Sequence, residues 1–212
     1  MTPAKSRGML ISIEGGEGAG KSTVLEAIRS LLLAHGLDVV LTREPGGTTG
    51  SEAIRALLLD PTRSLCAETE LLLMFAARAQ LVREVVLPAL ERGAAVLTDR
   101  FTDASFAYQG GGRGIDMGVI ADLERWAARV KPDLTFLLDV GVDVGLARAR
   151  ARGAALDRIE SEQLDFFERV RATYLARAAA EPERFRVIDA SEPPEAVLRS
   201  VTSALSAWLG QQ

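Results

Sequence analysis

The chain has 212 residues, 48% of them hydrophobic and 25% charged, with a net charge of −4 at pH 7. That is enough for one domain with its own core and no staples, and the mild negative balance excludes a general field for nucleic acid or an anionic membrane, so an anionic ligand needs a local cluster of cations. The one cysteine, Cys66, excludes an intramolecular disulfide; it suits a reducing cytosol and reads as a small buried hydrophobe.

In chain order, short apolar runs alternate with longer helical patterns. The start, MTPAKSRGMLISIEGG, has its apolar run broken after Ile13 by Glu14 and glycines. It does not read as a signal peptide, and no stretch reads as long enough to span a bilayer. Strands are expected at Met9–Ile13, Val39–Thr42, Ala94–Thr98, Leu134–Leu138 and Arg186–Ile188. Their near-continuous hydrophobicity indicates strands covered on both faces. The first helix runs from Ser22 to about Ala34 and stops at Gly36, with His35 capping its C-terminal end. A second follows in SEAIRALLLDP, with Ser51 as N-cap and Pro61 as the stop. A long pattern over 67–92 contains Pro88, where a kink or a break is expected. Further helices are read at Met117–Ala128, Val144–Arg152, Ser161–Ala179 and Pro194–Leu209. Strands alternating with helices argue for one α/β domain spanning 1–212 with a parallel sheet.

Within that frame, the stretch IEGGEGAGKST carries the most specific signal. Gly15-x4-Gly20-Lys21-Ser22 fits the phosphate-loop pattern, placed between an apolar strand and a helix start. Gly15, Gly16, Gly18, Ala19 and Gly20 would let backbone N–H groups turn inward around phosphates, and the helix N-terminus adds its positive end. Lys21 should reach the β- and γ-phosphates, and the Ser22 hydroxyl should ligate Mg²⁺. Lys21 is the only cation in this loop, and Glu17 sits among its glycines. VLTDR ends the third strand in Asp99 and Arg100, where the crevice of an open α/β sheet lies. Asp99 could act through Mg²⁺ or its waters and Arg100 could grip a phosphate; standing alone, the two also read as a surface ion pair. A GTPase switch loses its two usual supports, since the chain has no asparagine and no Asp-x-x-Gly. TREPGGT sets Arg43 directly after the second strand. LLLMFAARAQ places Phe75 and Arg78 three apart on one helix face, and FAYQGGGRG joins Tyr108 and Gln109 to a glycine run. An aromatic face, a guanidinium and an amide could stack on and hydrogen-bond a base, although Phe75 by itself reads more readily as ordinary core.

Taken together, GGEGAGKST, TREPGGT, LLLMFAARAQL, DRFTDASFAYQGGGRG and RARARGAALDRIE resemble the bacterial thymidylate kinases from about Leu10 to Asp189. The resemblance implies the phosphate-loop nucleoside monophosphate kinase fold, a five-stranded parallel sheet flanked by helices, ATP-dependent conversion of dTMP to dTDP with Mg²⁺, and a cytoplasmic homodimer. It further implies that Glu17, Arg43, Phe75, Arg78, Arg100, Ser105, Tyr108 and Gln109 surround dTMP. In that assignment Phe75 stacks on thymine, Arg78 and Gln109 contact the base edge, Arg43 and Arg100 hold the acceptor phosphate, and Tyr108 crowds the sugar where a 2′-hydroxyl would lie. Glu17 would engage the 3′-hydroxyl or nearby metal waters.

Gly18 departs from the family branch that carries arginine at that loop position. In the other branch RARARG, residues 148 to 153, belongs to a lid over ATP at about 148–160. Arg148 and Arg152 are four apart on one helix face, and Arg150 points elsewhere. The expected catalytic set is Lys21, Arg43, Asp99 and Arg152, with Arg148 beside ATP. The alternatives are a kinase for another nucleoside monophosphate and a non-catalytic ATP-binding module. None of these readings involves a nucleic-acid polymer or a membrane.

Overall fold

A computed structural model describes residues 7–151 and 157–211. Five parallel strands, β1 (Leu10–Gly15), β2 (Val39–Arg43), β3 (Ala95–Asp99), β4 (Leu134–Asp139) and β5 (Phe185–Asp189), form one sheet in the order β2-β3-β1-β4-β5. Chain reversal between parallel neighbours requires crossovers, and the helices supply them. They are α1 (Lys21–Ala34), α2 (Thr49–Leu59), α3 (Ala67–Leu81), α4 (Leu87–Glu91), α5 (Thr102–Ser105), α6 (Met117–Leu123), α7 (Val142–Ala151), α8 (Leu164–Ala180) and α9 (Pro194–Leu209).

Alternate side chains of β1 go to opposite faces, as the pleat dictates. Ile11 and Ile13 pack with Ile28 and Leu32 of α1 and with Val201 and Leu205 of α9. Leu10 goes to the other side, with Leu81, Val86, Leu90 and Val96. On that side α8 also lays Phe167, Val170 and Tyr174 near Leu137. The expectation of strands covered on both faces holds for the central strands and fails at the edges. Leu41 of β2 and Val187 of β5 are exposed, because an edge strand has a neighbour on one side only.

Several local expectations are corrected. The chain does not break at Pro88. A π turn at Val82–Val86 leads into α4, and Pro88 falls in the first turn of that segment, where its missing N–H is tolerated. The expected helix over 117–128 changes to a π turn at Glu124–Ala128. Thr48, not Ser51, caps α2: its Oγ1 accepts from the Ser51 N–H at 3.1 Å, while Ser51 Oγ donates to Ala77 O at 2.8 Å. Cys66 is exposed rather than buried. It precedes α3 as N-cap, with Sγ 3.1 Å from Thr69 Oγ1. His35 closes α1 as expected, its Nδ1 2.8 Å from Leu31 O.

Candidate active site

Parallel strands all end at the same edge of the sheet, and their register brings the strand-end motifs together. Arg43 lies opposite Asp99, and Asp99 lies opposite Ile13, two residues before the phosphate loop. These ends open into a cavity of about 470 Å³. Its lining includes Glu17, Gly18, Ala19, Gly20, Lys21 and Ser22 on one side and Arg43, Arg78, Ser105, Tyr108 and Gln109 on the other, with Asp99 and Arg100 between. Such a crevice at the carboxyl ends of the strands is where open α/β sheets bind ligands.

The phosphate loop turns at Gly20, φ 87°, and enters α1 at Lys21. Lys21 Nζ donates to Gly15 O at 3.2 Å and Gly16 O at 3.0 Å, which holds the ammonium over the loop. Burial, then the nearby Arg100, draw its pKa below the usual lysine range. Gly18 explains why no arginine stands there. Its φ is +68°, and a Cβ would sit 2.0 Å from Gly145 O of α7. Gly145 is in the same position from the other side, a Cβ there meeting Glu17 O at 2.4 Å. Loop and helix therefore pack backbone to backbone, and no side chain fits between them.

Arg100 adopts φ 69°, a left-handed conformation uncommon for a residue with a Cβ. Several bonds hold it there. Its backbone N–H donates to Ile13 O, and its guanidinium donates to Gly15 O at 3.0 Å, to Tyr174 Oη at 3.2 Å and to Glu17 Oε1 at 2.8 Å. Tyr108 Oη also donates to Glu17 Oε1, at 2.9 Å, and the Arg100 guanidinium lies 4.7 Å above the Tyr108 ring. Behind this layer, buried Glu14 accepts from the Phe101 N–H and from Tyr174 Oη, each at 2.7 Å. Burial, reinforced by the Asp103 carboxylate, pushes the Glu14 carboxyl up to about 8.

On the far wall Arg78 is buried. It donates to Glu44 Oε2 at 2.7 Å, Ser105 Oγ at 3.0 Å and Phe101 O at 3.1 Å. Gln109 Nε2 donates to Glu70 at 2.8 Å. Phe75 is 3% exposed. It belongs to a cluster with Leu71, Phe106 and Ile120 and is not part of the cavity lining. Its ring carries the Arg78 guanidinium at 4.5 Å.

Arg148 lines the cavity but sends its guanidinium to Ala190 O at 2.7 Å and Ser191 O at 3.4 Å, anchoring α7 to the end of β5. Arg150 is exposed, on a different face of α7. Arg152 lies outside the described residues. Glu14, Glu44, Glu70 and Tyr174 were missed from the sequence. The only available signal was polarity inside otherwise apolar segments, which Glu14 shows in LISIEG and Glu70 in α3.

A parallel sheet with a phosphate loop after its first strand, a carboxylate at the neighbouring strand end and arginines around an adjoining compartment define a phosphate-loop nucleotide phosphotransferase. The particular family follows from comparison with known proteins. The thymidylate kinase family model matches residues 13–201. Thymidylate kinase from Pseudomonas putida is 55% identical over 200 residues, 93% of this chain and 95% of that protein. The thymidylate kinase of Alcanivorax borkumensis is 53% identical over 206 residues, 95% of this chain and 99% of its own. The crystal structure of thymidylate kinase from Ehrlichia chaffeensis superposes with a TM-score of 0.76 at 33% identity, covering 94% of this chain and 99% of that one. The chain belongs to the thymidylate kinase family.

Proposed function

We propose that this protein transfers the γ-phosphoryl group of ATP to the 5′-phosphate of dTMP, giving dTDP and ADP. The observation that carries the reading is the single cavity shared by the phosphate loop and by Arg43, Arg78, Arg100 and Gln109. On this reading the donor and acceptor compartments would meet at Asp99 and Arg100, with two phosphates facing each other across a short gap.

The acceptor is a phosphate oxygen, already anionic near neutral pH, and it needs no strong general base. Catalysis is then positioning and charge neutralisation. Lys21 and the loop N–H groups would hold the β- and γ-phosphates, Arg43 and Arg100 the acceptor phosphate, and Arg78 and Gln109 the base edge. Tyr108, held against Glu17, would stand beside the sugar. Arg148 and Arg152 belong to the lid proposed at about 148–160, with Arg152 carrying charge to the transferring group.

The residues also fit Mg²⁺. Asp99 Oδ1 is buried with no hydrogen-bond partner among the described residues, and Ser22 lines the same cavity. Among the described residues no cluster of three or more His, Cys, Asp or Glu could hold a metal by itself. An ion bound through one carboxylate, a hydroxyl and substrate phosphates needs no such cluster. Bound there, Mg²⁺ would neutralise charge building on the phosphate oxygens.

No helix among the described residues is long and apolar enough to cross a membrane. A cytoplasmic location and a homodimer are part of the proposal and come from the family likeness. A coupled ADP-release assay across dTMP, dUMP, dCMP, dGMP and dAMP tests the function. Release stimulated chiefly by dTMP supports it, stimulation by another monophosphate reassigns the acceptor, and ATP binding without stimulated release would sink the kinase reading.

A further inference from the structure

Glu70 belongs to neither the phosphate loop nor the strand ends, yet its side chain is only 1% exposed. Oε1 accepts from Gln109 Nε2 at 2.8 Å. Oε2 accepts from Arg113 Nη2 at 3.0 Å and from Arg158 Nη2 at 2.7 Å. The two guanidiniums arrive from different segments. Arg113 closes the π turn Phe106–Gly112, and Arg158 stands next to Asp157, with its Nε donating to Leu58 O at 2.8 Å. Burial pushes the Glu70 carboxyl up, but the Gln109 bond and the two guanidiniums outweigh it and hold the pKa below the ordinary range.

An ionised carboxylate accepts hydrogen bonds and has none to donate. The group Gln109 turns toward Glu70 must therefore be its NH₂. Rotating the amide end for end would set its carbonyl oxygen against a buried negative charge and leave Oε1 only the longer bond from Arg113 Nε at 3.3 Å. The carbonyl end is thus directed away from Glu70. Gln109 lines the cavity beside Arg78, whose guanidinium has only donors. Its bonds to Glu44, Ser105 and Phe101 leave at least one of its five N–H groups over among the described residues. The wall then presents one acceptor and one donor. Thymine and uracil offer the complementary edge, an N3–H donor beside an O4 acceptor. Cytosine offers the reverse, an N3 acceptor beside an N4 amino donor.

We propose that Glu70 is a positioning residue for base selection: by fixing which end of the Gln109 amide faces the cavity, it makes the acceptor pocket take 4-keto pyrimidines and reject cytosine. The inference rests on the proposed dTMP kinase function and adds a residue that touches no substrate itself.

The test compares kcat/KM for dTMP and dCMP in the unsubstituted protein, Glu70→Gln, Gln109→Leu and the double variant. An amide at position 70 both donates and accepts, so it no longer dictates the Gln109 orientation. Glu70→Gln is expected to lower the dTMP-over-dCMP ratio at least about tenfold, chiefly through the dTMP KM, with the ATP KM unchanged. In the double variant the ratio should match that of Gln109→Leu alone, since Glu70 acts through Gln109. An unchanged ratio in Glu70→Gln, equal losses for both nucleotides, or additive losses in the double variant would overturn the proposal.

If Glu70→Gln does not fold, the unsubstituted protein decides the matter by NMR of the Gln109 side chain. Slow exchange of its amide protons without nucleotide, undisturbed by dTMP, is expected. Amide protons that exchange freely and slow only when dTMP binds overturn the proposal. Failure of the unsubstituted protein to turn over dTMP would instead sink the functional reading, and the same NMR experiment would still report the amide orientation.

Discussion

Arg78 and Glu44 are buried together, with side chains 2% and 4% exposed, so a substitution at Arg78 acts twice. Loss of a charged hydrogen bond to the base implies about 1.5–3 kcal/mol, raising the dTMP KM by roughly a hundredfold while the ATP KM barely moves. The same change leaves a carboxylate buried without its guanidinium, which costs about 3–5 kcal/mol of folding stability. We therefore expect Arg78→Ala to lower the urea midpoint and raise the dTMP KM together. Equal losses toward ATP and dTMP would show a structural role only.

Glu14 gives a pH dependence with a definite sign. Its ordinary value is 4.5, and in the folded protein burial, helped by Asp103, raises it to about 8. Between those values the folded protein keeps a proton that the unfolded chain has released, so this group's contribution to stability falls as pH rises from about 4.5 to about 8. Glu14→Gln cannot ionise. Its stability relative to the parent should therefore improve steadily across that window in thermal melts, and a constant difference from pH 5 to pH 8 would remove Glu14 from this role. Nothing local in LISIEG predicts this behaviour. Tyr174, which donates to Glu14, lies 160 residues away in sequence.

Among the elements, the phosphate loop and the helices were legible because their signals are local: glycine spacing, apolar periodicity, and a glycine after the last turn. The π turns were not. Phe106–Gly112 runs against α8, where a Cβ on Gly111 would lie 2.9 Å from Arg169 O and one on Gly112 would lie 2.4 Å from the Phe166 ring. The sequence displays the glycines but not the helix they approach. α7 shows the same limit. Its RARAR pattern indicated a basic helix end, yet only packing shows that Arg148 is taken up by the carbonyls after β5.

With Gly18 closed off by Gly145 and Arg148 taken up by the carbonyls after β5, the proposal assigns the charge missing from the loop to Arg152. We expect Arg152→Ala to lower kcat at least about a hundredfold with a much smaller effect on dTMP affinity. Arg150→Ala is the matched control and should cost less. Retained turnover in Arg152→Ala with loss in Arg150→Ala would show that the lid register is wrong.

For the molecule as a whole, Leu72 on α3 and Trp126 in the π turn 124–128 are 59% and 73% exposed on segments that pack against each other. Large apolar side chains left in water on neighbouring segments mark a candidate contact surface. If the proposed homodimer uses it, sedimentation should give twice the chain mass for the parent and a single-chain mass for Trp126→Glu. An unchanged dimer would clear this face.

Composition, periodicity and motif spacing were sufficient for an α/β chain, its strand and helix alternation and its phosphate loop, because each is written in residues within a few positions of one another. Resemblance to a family then supplied Arg43, Arg78, Arg100 and Gln109 as a group. Tertiary structure alone decided which acidic groups stand behind them. Glu14, Glu44 and Glu70 meet Tyr174, Arg78 and Arg158 across separations of 160, 34 and 88 residues. A buried carboxylate takes its charge state and its partners from whatever the fold packs around it, and no pattern along the chain encodes that neighbourhood.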